Sequence, residues 1–142
     1  MGGKFSRPYQ PFPVRWYNNF VESMPSQEGK HVAITGCTTG TGYEAAKAIV
    51  SRGGNVIALN RPSERAVACL ADIRAACKEG ANAQHVDCDL QDFASVRSAA
   101  AQVKQHVKGD GLHCLLNNAG AVAFLVIVHQ PGKALNVIFL WS

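Results

Sequence analysis

The sequence predicts an α/β fold, a parallel sheet with helices on both faces, on three observations. Apolar runs of strand length alternate with segments of helical periodicity between residues 31 and 116, the pattern of right-handed crossovers linking parallel strands. The runs, such as Val32-Ala33-Ile34 and Val56-Ile57-Ala58-Leu59, are unbroken, which suits strands buried on both faces. A glycine-rich stretch, Thr35-Gly36-Cys37-Thr38-Thr39-Gly40-Thr41-Gly42, joins the first run to a helical pattern.

Composition narrows the class. At 142 residues, 47% hydrophobic and 17% charged, the chain is expected to be a soluble, cytoplasmic globular protein with one core. A net charge of +4 without a block of Lys and Arg argues against a nucleic-acid partner and suits a small anionic ligand. The five cysteines are odd in number and include no C-x-x-C pair, so neither a metal site nor a disulfide framework is expected. Cys37 lies in the glycine stretch, where it is read as filling space and given no catalytic part.

The elements follow in order. Met1-Gly2-Gly3-Lys4-Phe5-Ser6 matches the N-myristoylation acceptor pattern, with Gly2 as the lipidation site; a chance match in a leader is the competing reading. Lys4, Arg7 and Arg15 would add the electrostatic signal that one acyl chain needs for peripheral membrane contact. Residues 1–28 are read as an arm, irregular apart from a helical turn at Trp16 to Ser23, with its aromatics packed on the domain. A first strand at 31–36 leads through the glycines to a helix from Tyr43 to Ser51, stopped by Gly53-Gly54. After the second strand, Val56 to Leu59, Pro62 and Ser63 open a helix that Gly80 closes. Gln84 to Cys88 forms a third strand, and Asp92 caps a helix whose apolar face is Phe93, Val96, Ala100, Val103 and Val107. Leu112 to Leu116 is the fourth strand, running into Asn117-Asn118-Ala119-Gly120. The arrangement is Rossmann-like and expected to be truncated after this strand.

The glycine stretch reads as a phosphate cradle. Glycine permits a tight turn and close backbone approach, and the N–H groups of the next helix's first turn have no intrahelical partner, so a dinucleotide pyrophosphate fits there. The bland alternative is an ordinary strand-to-helix turn.

Thr35-Gly36-x-x-x-Gly40-x-Gly42, Asp87-x-Asp89-Leu90 and Asn117-Asn118-Ala119-Gly120, in this order and each at a strand end, resemble the short-chain dehydrogenase/reductase family. The resemblance covers residues 29–120 and looks closest to its retinol dehydrogenase and protochlorophyllide reductase-like members. It implies that Gly36, Gly40 and Gly42 line the pyrophosphate, with Thr38, Thr39 and Thr41 as further donors. Asp89 would accept from the adenine amino group with Leu90 packed beside it, and Asn117, Ala119 and Gly120 would flank the ribose. Alone, Asp89 reads equally as a cap and Asn117 as a loop residue.

The end of the second strand decides the nucleotide. An NAD-type site places an acid there for the ribose 2′-hydroxyl, whereas this chain has Asn60-Arg61. A guanidinium suits a 2′-phosphate through paired charge-assisted hydrogen bonds, so NADP(H) is expected over NAD(H). The alternative for Arg61 is a solvated surface arginine, and Arg65 stands near enough to share its role.

The resemblance also implies a catalytic Tyr-x-x-x-Lys helix after the fourth strand, but the last tyrosine is Tyr43, so no catalytic residue is assigned. Residues 121–142 are expected to form an apolar tail of two short β-rich segments, a hairpin with Pro131-Gly132 in a type II turn, and the exposed fourth strand is expected to favour self-association. The expected function is an NADP(H)-dependent oxidoreductase whose full-length form acts on a small alcohol or carbonyl substrate. The alternative is a non-catalytic nucleotide-binding or regulatory module, tethered to a membrane.

Overall fold

The computed structural model describes residues 16–120 and the backbone of residues 124–128 and 136–140. The acylation motif at Gly2 and the turn at Pro131-Gly132 lie outside the described residues.

The elements are α1 (Tyr17–Ser23), β1 (His31–Thr35), α2 (Gly40–Ser51), β2 (Asn55–Asn60), α3 (Glu64–Ala75), β3 (Ala83–Asp87), α4 (Phe93–His106), β4 (Cys114–Leu116), β5 (Phe124–Val128) and β6 (Asn136–Leu140). The first four strands form a parallel sheet in the order β3-β2-β1-β4. That order reverses direction at β1, which puts a crevice at the carboxyl ends of the strands. β5 and β6 pair antiparallel as a separate two-stranded sheet, the hairpin-like pairing expected of the tail.

Alternation along the strands divides the core between two faces. Val32, Ile34, Val56 and Ala58 bury against Ala46 and Val50 of α2 and Cys69 and Ile73 of α3. Ala33, Ile57, Leu59 and Val86 bury against Ala99 and Val103 of α4. The unbroken apolar runs are thus two half-cores read as one line of sequence. The helix starts follow local chemistry: Ser63 Oγ accepts from the Ala66 N–H at 3.1 Å, and Asp92 Oδ1 caps α4 through the Ala94 N–H at 2.9 Å.

Several boundaries differ from the sequence reading. α2 begins at Gly40 rather than Tyr43, because first-turn residues need supply no intrahelical N–H bond and glycine is tolerated there. α3 ends at Ala75 and β4 is only three residues long. The chain reaches β4 through Gly109 and Gly111, both at positive φ, so Leu112 and His113 complete that turn instead of extending the strand. β4 pairs with β1 alone in its sheet, and Leu115 is 52% exposed on it.

The arm departs from expectation in one respect. Tyr17 reaches the domain, its hydroxyl donating to the Glu44 carbonyl at 3.0 Å, but Trp16 and Phe20 point to solvent. Helical spacing explains this, since 16 and 20 share a face and 17 and 21 share another. The strap then runs along α2: Arg52 Nη2 donates to the Met24 carbonyl at 2.6 Å, and the Gln27 N–H donates to the Arg52 carbonyl at 2.8 Å. No helix among the described residues is long and apolar enough to cross a membrane.

Candidate nucleotide site

The residues quoted from the sequence gather at the carboxyl ends of β1, β2 and β4, held by side-chain to backbone hydrogen bonds. Thr35, the last residue of β1, is buried, and its Oγ1 accepts the N–H groups of Asn118 at 3.1 Å and Ala119 at 2.9 Å. In return, Asn118 Nδ2 donates to the carbonyls of Thr35 at 3.1 Å and Gly36 at 3.0 Å. The two strand ends are thereby pinned side by side.

Glycine is required where they meet. Gly36 has φ +71°, and a Cβ built on it would lie 2.9 Å from the Cα of Ala119. A Cβ on Gly42 would overlap Asn118 Nδ2 and sit 2.5 Å from the Gly36 carbonyl oxygen. Gly40 differs: it has φ +63°, yet a Cβ there would meet nothing within 4 Å. Its glycine answers to backbone conformation and leaves open space beside the turn.

Asn60 supplies the third tie. It is buried, its Oδ1 accepts the Cys37 N–H at 2.7 Å, and its carbonyl accepts the Cys88 N–H at 2.9 Å. The neutral amide at the tip of β2 therefore grips the glycine turn and does not face outward as a ribose reader. Arg61, the next residue, is exposed.

Cys37 is fully buried, its thiol donating to the Ile34 carbonyl at 3.2 Å, while the Cys69 thiol donates to the Cys37 carbonyl at 2.7 Å. Burial above all, and then the neighbouring Cys69, pushes the Cys37 thiol up to about 12. It fills space, as expected from the sequence, and is no nucleophile.

The remaining positions are placed less tightly. Thr38 is half-buried and Thr39 and Thr41 are exposed. Thr39 is the residue before α2, yet its side chain makes no capping bond. Asp89 Oδ1 accepts the Gln91 N–H at 3.0 Å, and Asp92 caps α4; Leu90 is exposed. Among the described residues no hydrogen bond joins Asp89 to the glycine turn. Asn117 and Gly120 are exposed, with Ala119 between them tied to Thr35.

Sequence reasoning passed over the side chains of Thr35, Asn60 and Asn118 as site-builders. All three stood at the tips of predicted strands, and small polar residues beside a glycine turn are the signal that its backbone must be held. It also passed over Tyr43-x-x-x-Lys47, which has the family's catalytic spacing within α2. There the Tyr43 hydroxyl donates to Asp72 Oδ2 at 3.3 Å and Lys47 Nζ lies 5.2 Å over the ring. Desolvation is the main cause that holds the Tyr43 phenol above its usual range, so the pair ties α2 to α3 and is no proton donor poised near neutrality.

An open turn, a helix start that Thr39 leaves uncapped and a nearby guanidinium fit an extended phosphate-bearing ligand. The sequence model of the family described as short chain dehydrogenase matches residues 30–136. The chain is 35% identical over 124 residues to a short-chain dehydrogenase/reductase of Armillaria gallica, covering 86% of this chain and 38% of that relative. It is 36% identical over 95 residues to human retinol dehydrogenase 13, covering 66% of this chain and 28% of the relative. Among solved structures, it is similar to the NADPH-dependent 3-quinuclidinone reductase from Rhodotorula rubra, with a TM-score of 0.59, 27% identity, and coverage of 91% of this chain and 44% of that one. The chain thus spans less than half the length of each of these proteins.

Proposed function

The chain belongs to the short-chain dehydrogenase family, and from that membership we propose that it carries the NADP(H)-binding portion of an oxidoreductase acting on an alcohol or carbonyl substrate. The observation that carries the proposal is the uncapped first turn of α2 beside the open Gly40. Backbone N–H groups at a helix start favour anions, and the macrodipole adds to them.

When bound, the nicotinamide supplies hydride transfer. The chain's own residues hold and orient the dinucleotide. Gly36, Gly40 and Gly42 admit the pyrophosphate to the backbone, with Thr38, Thr39 and Thr41 as further donors. Arg61 takes the 2′-phosphate by charge-assisted hydrogen bonds, because Asn60 is engaged with Cys37. Asp89, with one oxygen uncommitted to Gln91, and the exposed Leu90 receive the adenine. Asn117, Ala119 and Gly120 flank the ribose.

Residues 121–142 contain no tyrosine, so the phenol that would exchange a proton with the substrate oxygen is assigned to sequence beyond these residues, in a longer form. That absence also favours the second reading, a non-catalytic nucleotide-binding or regulatory module. Gly2 with Ser6 is the acylation site in either reading, giving peripheral membrane contact, and the β4 edge is where copies of the chain associate.

Calorimetric titration tests the nucleotide. NADPH should bind more tightly than NADH, and Arg61→Ala should shrink the difference by roughly ten- to a hundredfold, the range for a hydrogen-bonded charged group. Equal affinities in the unaltered chain would reject the NADP(H) assignment.

A further inference from the structure

The start of β4 carries an arrangement that the nucleotide reading does not use. β4 is three residues long and pairs with β1 alone in its sheet, and the residue before it, His113, is bonded twice to His31 at the start of β1. The His113 N–H donates to the His31 carbonyl at 2.9 Å, an ordinary backbone bond. The His31 N–H donates to Nδ1 of the His113 ring at 3.1 Å, so a side chain stands where a longer strand would offer a carbonyl.

A backbone amide can only donate. Nδ1 of His113 must therefore be unprotonated for this bond to exist, which fixes the ring as neutral with its proton on Nε2. Protonation would set one N–H against another, and the two donors would have to part. His113 is exposed, so protons reach it freely. The rings of His31 and His113 have centroids 6.2 Å apart, close enough for charges on both to repel. The other titratable groups around the pair are Asp110, on the connection from α4, with Oδ2 3.4 Å from His31 Nε2, and His106 of α4, which lines one cavity with His31. Protonated, His31 has Asp110 as its partner; a protonated His113 beside it would lose its bond and meet a like charge.

β4 links this pair to the glycine turn. Cys114 to Leu116 run beside Val32 to Ile34. Just beyond them, Asn118 Nδ2 holds the Thr35 and Gly36 carbonyls while Thr35 Oγ1 accepts the Asn118 N–H. Loosening the start of so short an edge strand loosens the ties at its end.

We propose that His113 and His31 form a proton-operated latch. With His113 neutral, β4 is fastened to β1 and the glycine turn is held by Asn118; with His113 charged, β4 loosens and the turn loses that support. The latch goes beyond the nucleotide reading, and only its effect on the ligand rests on that reading. Its sign is definite. The bond belongs to the neutral ring, so its stabilisation is present on the alkaline side of the imidazole range and is lost as pH falls through it, between about 8 and 5.

The test compares the full chain with His113→Asn, whose carboxamide oxygen can take the place of Nδ1 and accepts at every pH. Between about pH 8 and pH 5.5 the parent's folding equilibrium constant, from urea unfolding, should fall by about two- to tenfold more than that of His113→Asn, the range for one net hydrogen bond. Taking the difference removes titrations that the two chains share, those of His31, His85 and His106 among them. Asp110→Asn should keep the acid loss. In the parent, nitrogen NMR should show Nδ1 of His113 gaining its proton in step with a shift of the Asn118 side-chain amide. Parallel pH profiles for the parent and His113→Asn, or a His113 ring that titrates while Asn118 stays unmoved, would overturn the proposal. Titration with NADP+ keeps the two readings apart. An affinity that falls in acid more steeply for the parent than for His113→Asn supports both, and an equal fall in the two chains counts against the latch. Absence of binding at any pH, with unfolding and NMR as expected, rejects the nucleotide assignment and leaves the latch standing.

Discussion

Asn60 Oδ1 accepts the backbone N–H of Cys37 at 2.7 Å, joining the tip of β2 to the glycine turn that leaves β1. The same residue type could have been read as an outward-facing ligand contact. Burial decides otherwise: Asn60 is 6% exposed and Cys37 is 0% exposed, so the bond is shielded from competing water.

Asn60→Ala would leave the Cys37 N–H buried without an acceptor. The expected cost is about 1 to 3 kcal/mol, read from urea unfolding, with NADPH affinity reduced as the turn loosens. An unchanged midpoint would mean that water or a relaxed backbone replaces the amide.

The glycines should separate by mechanism. Gly42→Ala meets Asn118 and the Gly36 carbonyl, so it should destabilise the fold and remove nucleotide binding together. Gly40→Ala meets no atom and is strained only by its positive φ, a cost of about 1 to 2 kcal/mol. Comparable unfolding midpoints for the two variants would contradict this distinction.

Cysteine reactivity should follow burial. Cys114 is exposed and should be alkylated in the native protein at mildly alkaline pH, while Cys37 and Cys69, with thiols raised to about 12 and about 11, should react only after unfolding. The sign for stability is definite. The native state keeps the Cys37 proton after the unfolded chain has lost it near the ordinary value of 9.0, so the unfolded state binds fewer protons and stability falls with rising pH. This contribution is intact below pH 9 and declines between about 9 and 12; Cys37→Ala should flatten that part of the pH profile in thermal melts.

The chain of 142 residues should give no saturable NADPH consumption with retinoids, steroids or small aldehydes. Its tyrosines are Tyr9, Tyr17 and Tyr43, and Tyr43 is turned to Asp72. A general acid contributes about a hundred- to ten-thousandfold, so clear turnover would require a proton donor at a position assigned none.

Much of the fold was legible because each helix and strand announces itself locally. Periodicity placed α3 and α4, and Ser63 and Asp92 marked their starts. The parallel sheet with helices on both faces followed from alternation and handedness rather than from any one residue. What stayed hidden was the direction of individual polar side chains. Nothing local to Asn60 says that it turns inward to a backbone group 23 residues away, and nothing local to Trp16 and Phe20 says that they turn outward. Likewise, glycines near a helix start read as a break, and only their hydrogen bonding makes them its first turn.

The bonds between Thr35 and Asn118 join residues 83 positions apart, so the glycine turn cannot take its final form by local folding. β1, α2 and β2 are able to associate early, their contacts closing short loops, whereas the turn must wait until most of the chain has threaded through two more crossovers and β4 has docked. Competence to bind nucleotide is therefore among the last properties the domain acquires, and NADPH should report completed assembly rather than compactness. Secondary structure should return before NADPH binding when the denatured chain is diluted into buffer, with the lag set by the arrival of β4.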